Sequence, residues 1–587
     1  MRAWRIVPPA AAVAALCALS AQTPAPDPVL RAMHDELERA RSISVANLEP
    51  PYFIEYVIDE ADAFNVSASL GGLIQKRRER FRQPEVHVRV GDYKFDNTNF
   101  AGGGMGFGGS RYDLERFPLE NSYPVLRRYL WLETDSAYKA AVEAISRKRA
   151  ALRNVSQSSS ELNDFAHAEP VHSVHAFHPL DIDETAWADK VRSLSAIFAQ
   201  YPDIKNSSVE LDASAGGYVV ANSEGAEVRE PENVVYVRAR AIAQASDGTT
   251  LHDSVTFHAL DPVRMPPDAD MRRGVTEMAQ NVVALAKAPK GDDYSGPVLF
   301  EGQAGAQIFA EVLGHNLSLS RRPASGGGRG GNVEPGELDG RLGARVLPDS
   351  FEVVDDPTQK EWRGRPLFGS YQIDREGVVA KPLHLVEKGV LKGYLLTRQP
   401  VKGFEGSNGR ARMPGSYGAS TASISNLFVS SSEGVSPAEL KKKLIDLIQA
   451  RSKPYGILIR RMDFPSTAAT DELRRLITAG GQGSGRPVSM PILAYKVYPD
   501  GREELVRGLA FRGFNTRSLK DILAAGNDAA VFDFMDNPAP FAFVGATGYT
   551  SEACVVAPSI LIDDLELHPL DEELPKLPVV PAPEIVR

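Results

Sequence analysis

The sequence of 587 residues predicts an α+β protein. Stretches in which apolar and polar residues alternate, rich in β-branched side chains, are typical of strands. Longer stretches with apolar residues every three or four positions are typical of amphipathic helices. Both kinds of stretch recur along the chain and are separated by short turns rich in Gly and Pro. Their mixture, without any fixed-period repeat, predicts helices and sheets in the same domains.

The N-terminal half combines both patterns. Helices are predicted over residues 27–42, 123–154, 187–200 and 268–288. Before the long second helix, the predicted strands are YFIEYVIDEA, FNVSASLGGLIQ and EVHVRVGDY. After it, they are SSVELDAS, GGYVVANSEG, NVVYVRARAIAQA and TTLHDSVTFHAL. The turn-rich segment KAPKGDDYSG predicts a border, so residues 22–290 are assigned to an N-terminal domain.

The C-terminal half is mostly strand-like and is assigned to a second domain, residues 291–568. Its predicted strands are PVLFEG, FEVVDDP, GSYQIDREG, KPLHLVEKGVLKGYLLTR, STASISNLFV and SILIDDLELHP. Helices are predicted over residues 303–317, 436–451, 468–478 and 519–524. The tail, residues 569–587, is rich in Pro and is expected to be disordered.

Residues 1–21 have the order of a secretory signal peptide. Two arginines precede an apolar stretch that ends in the small residues Ser20 and Ala21. The apolar stretch is too short to span a bilayer, and no later segment has the length of a transmembrane helix. We therefore expect an exported protein, periplasmic or extracellular, whose mature chain begins near Gln22.

Charge and cysteine content argue against a nucleic-acid partner and against an intrachain disulfide. The formal net charge is -10, and the short basic run QKRRERFR is interrupted by a glutamate. Nucleic acids need clustered Lys and Arg, so no nucleic-acid partner is expected, and the run is interpreted as a solvated strand or turn. Cys17 lies in the signal segment, which leaves Cys554 without an intrachain partner.

The helix QAGAQIFAEVLGHNL carries the candidate chemistry. Gln303, Gln307, Glu311 and His315 recur every four residues and form one polar stripe. A carboxylate one turn from an imidazole can act with it as a paired acid and base, or as base and metal ligand. The alternative is the solvated face of an ordinary amphipathic helix.

A second group of histidines lies in the linker SQSSSELNDFAHAEPVHSVHAFHP. His167, His172, His175 and His178 are close in sequence and raise the question of a metal site. Their spacings do not repeat on a helix face, and no cysteine lies nearby. We interpret the segment as a polar, irregular connection.

Residues 296–568 resemble the TldD/PmbA family of zinc peptidases. The resemblance rests on AEVLGH, RRP, RLGARVLPDSFEVVDDPT, SNGRARMP, SISNLFV and PSILIDDLEL, and is most specific over residues 355–397. It implies an N-terminal α/β domain with a mixed sheet, here with an added segment around residues 102–178. It also implies a β-rich C-terminal domain of antiparallel, barrel-like sheets that carries the signature helix. Family members form dimers around an enclosed cavity, some with a metal-lacking subunit.

This chain departs from the family at its zinc ligands. The signature is a helix with His-Glu-x-x-x-His, completed by a distant cysteine, and here Ala310 and Val544 occupy the first histidine and the cysteine positions. Glu311, the candidate base, and His315, the candidate ligand, remain and would hold zinc weakly, because a catalytic site needs three protein ligands. Cys554 would replace the missing thiolate only if the chain bulges; otherwise it is a buried free cysteine.

Two functional hypotheses follow. In the first, the chain is a non-catalytic or partner-dependent subunit of a peptide-processing dimer, formed with a second copy or with a family homologue. In the second, it is an active metallopeptidase that uses Glu311 and His315 with ligands that the sequence does not reveal or that a partner supplies. A solitary peptide-binding protein is a third alternative.

Overall fold

The computed structural model describes residues 27–45, 47–101, 117–153, 162–325, 336–415, 418–463, 488–536 and 551–570. Its α-helices are α1 (Pro28–Arg41), α2 (Tyr123–Leu152), α3 (Glu184–Ser195), α4 (Asp268–Lys287), α5 (Gln303–Ile308) and α6 (Pro437–Ala450). The predictions for α1, α2, α4 and α6 are confirmed to within a few residues. Helix α3 begins earlier than predicted and continues into a 3-10 turn. None of the described helices is both long and apolar enough to cross a bilayer.

Two further helix predictions have different outcomes. The helix predicted over residues 468–478 lies outside the described residues. The helix predicted over residues 519–524 is wrong, since a 3-10 turn, Thr516–Asp521, leads there directly into a strand. The Asn515 side chain caps that turn by accepting from the backbone N–H of Arg517 at 2.9 Å, which sets its start earlier than the pattern indicated.

The N-terminal half is built on one six-stranded sheet. Its strands are β1 (Pro51–Ser69), β2 (Gly72–Val90), β4 (His172–Val174), β5 (Ile204–Asn222), β6 (Glu227–Gln244) and β7 (Thr250–Ala259). The order is β2-β1-β5-β6-β4, with β7 beside β6. Strand β4 runs parallel to β6 and the other pairs are antiparallel, so the expected mixed sheet is confirmed.

Glycine pairs explain where strand boundaries were predicted wrongly. The stretch FNVSASLGGLIQ is not one strand, because Leu70 and Gly71 both have positive φ and form the tight turn between β1 and β2. Conversely, Gly216 and Gly217 do not separate two strands. Both stay in the ladder of β5, with partners on β1 and on β6.

The helices of the described residues cover one face of this sheet. Ile54, Tyr56 and Ile58 of β1 pack in a cluster with α1 and α2. Phe64 and Val66, at the same parity along β1, pack in a second cluster with α3 and α4. Successive side chains of a strand point to opposite faces, so the residues between them line the face that the helices leave open.

The C-terminal half contains two larger sheets. The first holds β8 (Tyr294–Phe300), β18 (Gly456–Met462), β19 (Pro491–Val497), β20 (Glu503–Val506), β21 (Leu509–Arg512), β22 (Ile522–Ala525) and β25 (Ile560–Pro569). The second holds β10 (Phe351–Asp355), β13 (Leu383–Glu387), β14 (Val390–Leu391), β17 (Asn426–Ser431), β23 (Ala530–Asp536) and β24 (Ser551–Ala557). Their orders are β20-β19-β18-β8-β25-β21, with β22 beside β25, and β14-β13-β10-β17-β24-β23.

Short strand pairs complete the described β structure. They are β3 (Phe100–Ala101) with β9 (Ala324–Ser325), β11 (Glu361–Trp362) with β12 (Arg365–Pro366), and β15 (Ala411–Pro414) with β16 (Ser420–Ala422). Most strand pairs of the C-terminal half are antiparallel, as expected, although β18 with β8 and β17 with β24 are parallel. Among the described strands the sheets are open, so the barrel-like form is not observed.

The predicted strand GSYQIDREG is instead a turn held by one side chain. The carboxylate of Asp374 accepts from the backbone N–H groups of Glu376, Val378 and Ala411 at 2.9–3.0 Å. A short acidic side chain that satisfies nearby N–H groups offers the backbone an alternative to a strand ladder. The apolar alternation was therefore not sufficient to predict a strand here.

The two C-terminal sheets enclose the main core. Phe300 of β8, Phe351 of β10 and Val555 of β24 are all buried in one cluster with Phe309 and Leu313. The latter two belong to the segment 303–317, which packs against β18, β23 and β24. The signature helix thus lies between the sheets and is not a solvated surface helix.

Candidate active site

The segment 303–317 is helical throughout but changes its helical form twice. Helix α5 passes into a π-helical turn, Phe309–Leu313, and then into a 3-10 turn, Gly314–Leu317. The backbone N–H of Gly314 donates to the carbonyl of Phe309, five residues earlier. Single π turns inside helices are rare and occur often at functional sites.

The π turn widens the helix between Ala310 and His315. A hydrogen bond from residue i to residue i+5 closes a wider turn than the α-helical bond does. Positions 310 and 315 are five residues apart, and most of this turn lies between them. Ala310, only 1% exposed, packs in the core with Phe309 and Val312. A buried methyl group therefore stands five residues before the His315 imidazole.

Glu311 is held at both carboxylate oxygens. Its Oε1 accepts from Nε2 of Gln307 at 2.7 Å, which confirms this part of the predicted stripe. Its Oε2 accepts from the backbone N–H of Ser489, also at 2.7 Å. Gln307 donates in addition to the carbonyl of Asp463 at 2.6 Å. Glu311 is thus tied to the end of β18 and to the residues that lead into β19.

His315 has a different environment from Glu311. Its Nδ1 lies 3.8 Å from Oδ1 of Asp536, the last residue of β23, and its side chain is 23% exposed. The hydroxyl of Ser423 donates to the other oxygen of Asp536. The distance between the imidazole and this carboxylate is longer than a hydrogen bond. The site therefore places Glu311 and His315 on one helix but gives each its own set of supporting residues.

The N-terminal half reaches this site through β7. Nε2 of His252 lies 3.0 Å from Oδ1 of Asp463, whose carbonyl binds Gln307. Next to it, Arg461 donates to Asp253 at 2.7 Å. These buried polar residues were not predicted from the sequence. The sequence offered little signal for them, because polar residues recur along the whole of β7.

Comparison with known proteins shows which family this chain resembles. Residues 293–462 match the profile of the PmbA/TldA metallopeptidase C-terminal domain. Residues 293–462 therefore form a domain of the TldD/PmbA family. A metalloprotease of Archaeoglobus fulgidus is 32% identical over 148 residues, which are 24% of this chain and 31% of the relative. One of Methanothermobacter thermautotrophicus is 24% identical over 220 residues, 37% of this chain and 42% of the relative.

Solved structures show the same fold over most of the chain. TldE from Thermococcus kodakarensis has a TM-score of 0.53 at 13% identity and covers 91% of this chain and 99% of its own. A putative modulator of a DNA gyrase from Thermotoga maritima also has a TM-score of 0.53, at 15% identity, with 88% and 96% covered. The matched segments span less than half the length of either sequence relative. At this coverage the comparisons support a metallopeptidase-like family.

The residues at the TldD/PmbA ligand positions do not fit a zinc ion. Ala310 carries no donor atom, and neither does Val544, which lies outside the described residues. His315 supplies one imidazole, whereas catalytic zinc needs three protein ligands. Among the residues described, no group of three or more His, Cys, Asp or Glu side chains is arranged to hold a metal.

Cys554 does not face His315. It pairs with Asp533 across β23 and β24, whereas the imidazole neighbour is Asp536. Residues three apart on a regular strand point to opposite faces, so the thiol and Asp536 lie on different sides of this sheet. Burial raises the pKa of the Cys554 thiol well above its usual value. The interpretation as a buried free cysteine is confirmed.

The histidine-rich linker contacts separate carboxylates. Nδ1 of His172 lies 3.2 Å from Glu227, and Nε2 of His167 lies 4.0 Å from Glu224. His175 contacts the hydroxyl of Ser173 at 3.2 Å. These contacts do not converge on one point. The segment is not irregular throughout, however, because His172–Val174 form strand β4 and pair with β6.

Proposed function

We propose that this chain is a metallopeptidase-like subunit without a zinc site of its own, which works as one half of a peptide-processing dimer. The partner is a second copy or a family homologue. The observation that carries the proposal is Ala310, which stands five residues before His315 where the family signature has a ligand. Zinc bound to the chain alone would have too few protein ligands to be held tightly.

The preserved framework supports a subunit role. The helix of Glu311 is buried between two sheets, and both oxygens of its carboxylate are hydrogen-bonded. A subunit that forms the wall of a shared cavity needs shape and backbone hydrogen bonds but no Lewis acid. An obligate interface of this kind should bury well over about 1,000 Å² and be apolar at its centre.

The second candidate function is an active metallopeptidase. The observation that favours it is the placement of the two remaining residues. Glu311 is hydrogen-bonded by Gln307 and Ser489, and His315 lies beside Asp536. Glu311 would then be the general base, and the missing ligands would come from a partner or from residues outside those described. A carboxylate held in place by hydrogen bonds is suited to accept a proton from water.

One experiment separates the two candidates. The protein is purified from its native source, its mass is measured by sedimentation, and co-purifying homologues are identified. Peptide cleavage is then measured for two complexes, one that contains the native chain and one that contains the Glu311→Ala variant. A non-catalytic subunit predicts a dimer whose activity survives this substitution, whereas a catalytic chain predicts its loss. A strictly monomeric protein at micromolar concentration, with no homologue alongside, would contradict the subunit proposal.

We also propose that the protein is exported. The arginines, apolar stretch and small residues up to Ala21 support this proposal. N-terminal sequencing of the native protein should find a chain that begins near Gln22 outside the cytoplasm. A cytosolic protein that retains Met1 or Arg2 would contradict it.

A further inference from the structure

A cavity lies on the face of the N-terminal sheet that the helices leave open. It has a volume of about 960 Å³. Small residues lie in the middle of its floor, where Ala61 and Ala63 of β1 and Ser214 and Gly217 of β5 line the cavity. Asp59, Asn65 and Asp212 of the same two strands line it as well. Larger side chains of β2 and β6 rise on both sides, among them Phe81, Glu79, Val234 and Glu232. The result is an elongated depression, here called the trough.

The C-terminal half closes one end of the trough with a cluster of charges. Arg412, Glu552, Arg375 and Met535 line this end. Nη2 of Arg412 lies 3.5 Å from Oε2 of Glu552 and 3.9 Å from Oε1 of Glu232. The Arg412 guanidinium also stacks on Tyr371, 4.1 Å from the ring centroid. One guanidinium thus lies between two carboxylates at distances too long for strong hydrogen bonds.

Arg412 retains an unused donor. Its side chain is only 2% exposed, and its Nε has no hydrogen-bond partner among the described residues. An unsatisfied buried donor is costly, and such groups in native structures call for an explanation. Because Arg412 lines the trough, an acceptor on a bound molecule would satisfy this N–H.

The two carboxylates in turn share the single guanidinium of Arg412. Of the other acidic side chains that line the trough, Asp59, Glu60 and Glu210 are paired with Arg375, Arg82 and Arg238. Burial, and next the charge of Glu552, raise the pKa of Glu232 to about 8. Burial also raises the pKa of Glu552. A second cation beside these two side chains would stabilise both as carboxylates.

We propose that the trough binds the amino terminus of an extended peptide. Its ammonium group donates to Glu232 and Glu552, its first carbonyl accepts from Nε of Arg412, and the following residues lie along the floor of small side chains. An α-amino group next to a carbonyl is the ligand chemistry that supplies both the missing cation and the missing acceptor. A polyamine supplies only the cation, and an acetylated peptide only the acceptor.

This site is separate from the Glu311 helix. Met535 and Glu552 are paired across β23 and β24, and Asp536 is the next residue along β23. Adjacent residues of a strand point to opposite faces, so the trough and His315 lie on opposite sides of this sheet. The inference therefore does not rest on the proposed function, and binding should persist in Glu311→Ala.

The test measures binding to the full chain by calorimetry at neutral pH. The probes are Ala-Ala-Ala-amide, its N-acetylated form and spermidine. Only the free-amine peptide should bind measurably, and Glu232→Gln or Glu552→Gln should weaken it about tenfold or more. Glu79→Gln is the matched control, since it removes one negative charge from the wall of the same trough and should change affinity less than threefold. Thermal unfolding of each variant checks that it is folded.

Three outcomes would overturn the proposal. Equal binding of the acetylated peptide would exclude recognition of the ammonium group. Equal binding of spermidine would show a general cation site without a role for Arg412 Nε. Absence of binding by the free-amine peptide at millimolar concentration to the folded native chain would exclude the site itself. These comparisons use the unaltered protein, so they hold even if a variant fails to fold.

Discussion

The backbone N–H of Gly314 is bonded to the carbonyl of Phe309, so the helix that carries Glu311 makes a π turn directly before His315. In a regular α-helix, residues 310 and 315 would point about 140° apart at about 100° per residue. The π turn lies between these two positions and changes that angle. Ala310 stands at the first of them, where the resemblance to the TldD/PmbA family implies a histidine.

We predict that Ala310→His combined with Val544→Cys restores zinc binding. The new imidazole would join that of His315, and the thiolate would supply a third ligand. Because Ala310 is buried, the larger side chain should cost about 1–3 kcal/mol of stability in the absence of metal. Metal analysis after dialysis, and unfolding temperature with and without zinc, measure both effects.

The control for this prediction adds His315→Ala to the double variant. It removes one ligand and should abolish zinc retention and the stabilisation by zinc. If the native chain already retains stoichiometric zinc after dialysis against a mild chelator, ligands outside these positions exist, and the proposed loss of the site is wrong.

We predict that Glu311→Gln destabilises the fold. The two carboxylate oxygens accept from Gln307 and from the backbone of Ser489. A glutamine offers one oxygen and turns an NH₂ group toward the second donor, so one hydrogen bond is lost and two donors face each other. The expected cost is about 1–3 kcal/mol in the free energy of unfolding, measured with urea. Glu433→Gln, an exposed glutamate, should cost less than about 0.5 kcal/mol.

The sequence predicted elements better than it predicted their contacts. Periodicity located α1 and α4 to within one residue, because their apolar stripes are long and regular. Periodicity also placed Gln307 and Glu311 on one face, four residues apart, and the hydrogen bond between them agrees with this. The Ser489 contact could not be predicted, because 178 residues separate it from Glu311 and only the assembled sheets bring them together.

Local rules failed where a tertiary contact outweighed them. The wider turn at Phe309–Leu313 has no signal in the apolar pattern, which fits a regular helix equally well. Strand β5 runs through Gly216 and Gly217 because neighbours on both sides complete its ladder. The trough was likewise not predictable, since its small floor residues look unremarkable until β1 and β5 are paired.

We predict that Cys554 is inert in the native protein. The thiol is fully buried, and burial, then the neighbouring Asp533, raise its pKa, so little thiolate is present. In a chain that begins at Gln22 it is the only cysteine. A chromogenic disulfide reagent should react slowly with folded protein and stoichiometrically after denaturation. Rapid reaction of the folded protein would show that the thiol is accessible and reopen its role as a ligand.

We predict that the fold loses stability at acidic pH because of His258 of β7. Its ring lies 5.2 Å from that of Phe368 and 6.2 Å from that of Tyr236. Burial lowers the pKa of His258 to about 4, although the charge of Asp533 acts in the opposite direction. The charges of Arg365 and Arg238 act in the same direction as burial. The folded protein therefore resists protonation of this ring more than the unfolded chain does.

The direction in which pH changes stability follows from how many protons His258 binds in the folded and in the unfolded state. Between the folded pKa of about 4 and the ordinary value of 6.5, the unfolded chain binds more protons at His258 than the folded protein. Its contribution to stability is complete above pH 6.5 and is lost as the pH falls toward 4, at no more than about 1.4 kcal/mol per pH unit. His258→Phe should reduce the loss of stability between pH 7 and pH 5, measured by urea unfolding at both values. His178→Phe, at an exposed position, should leave that loss unchanged. An equal loss in the native protein and in His258→Phe would show that other groups cause the acid sensitivity.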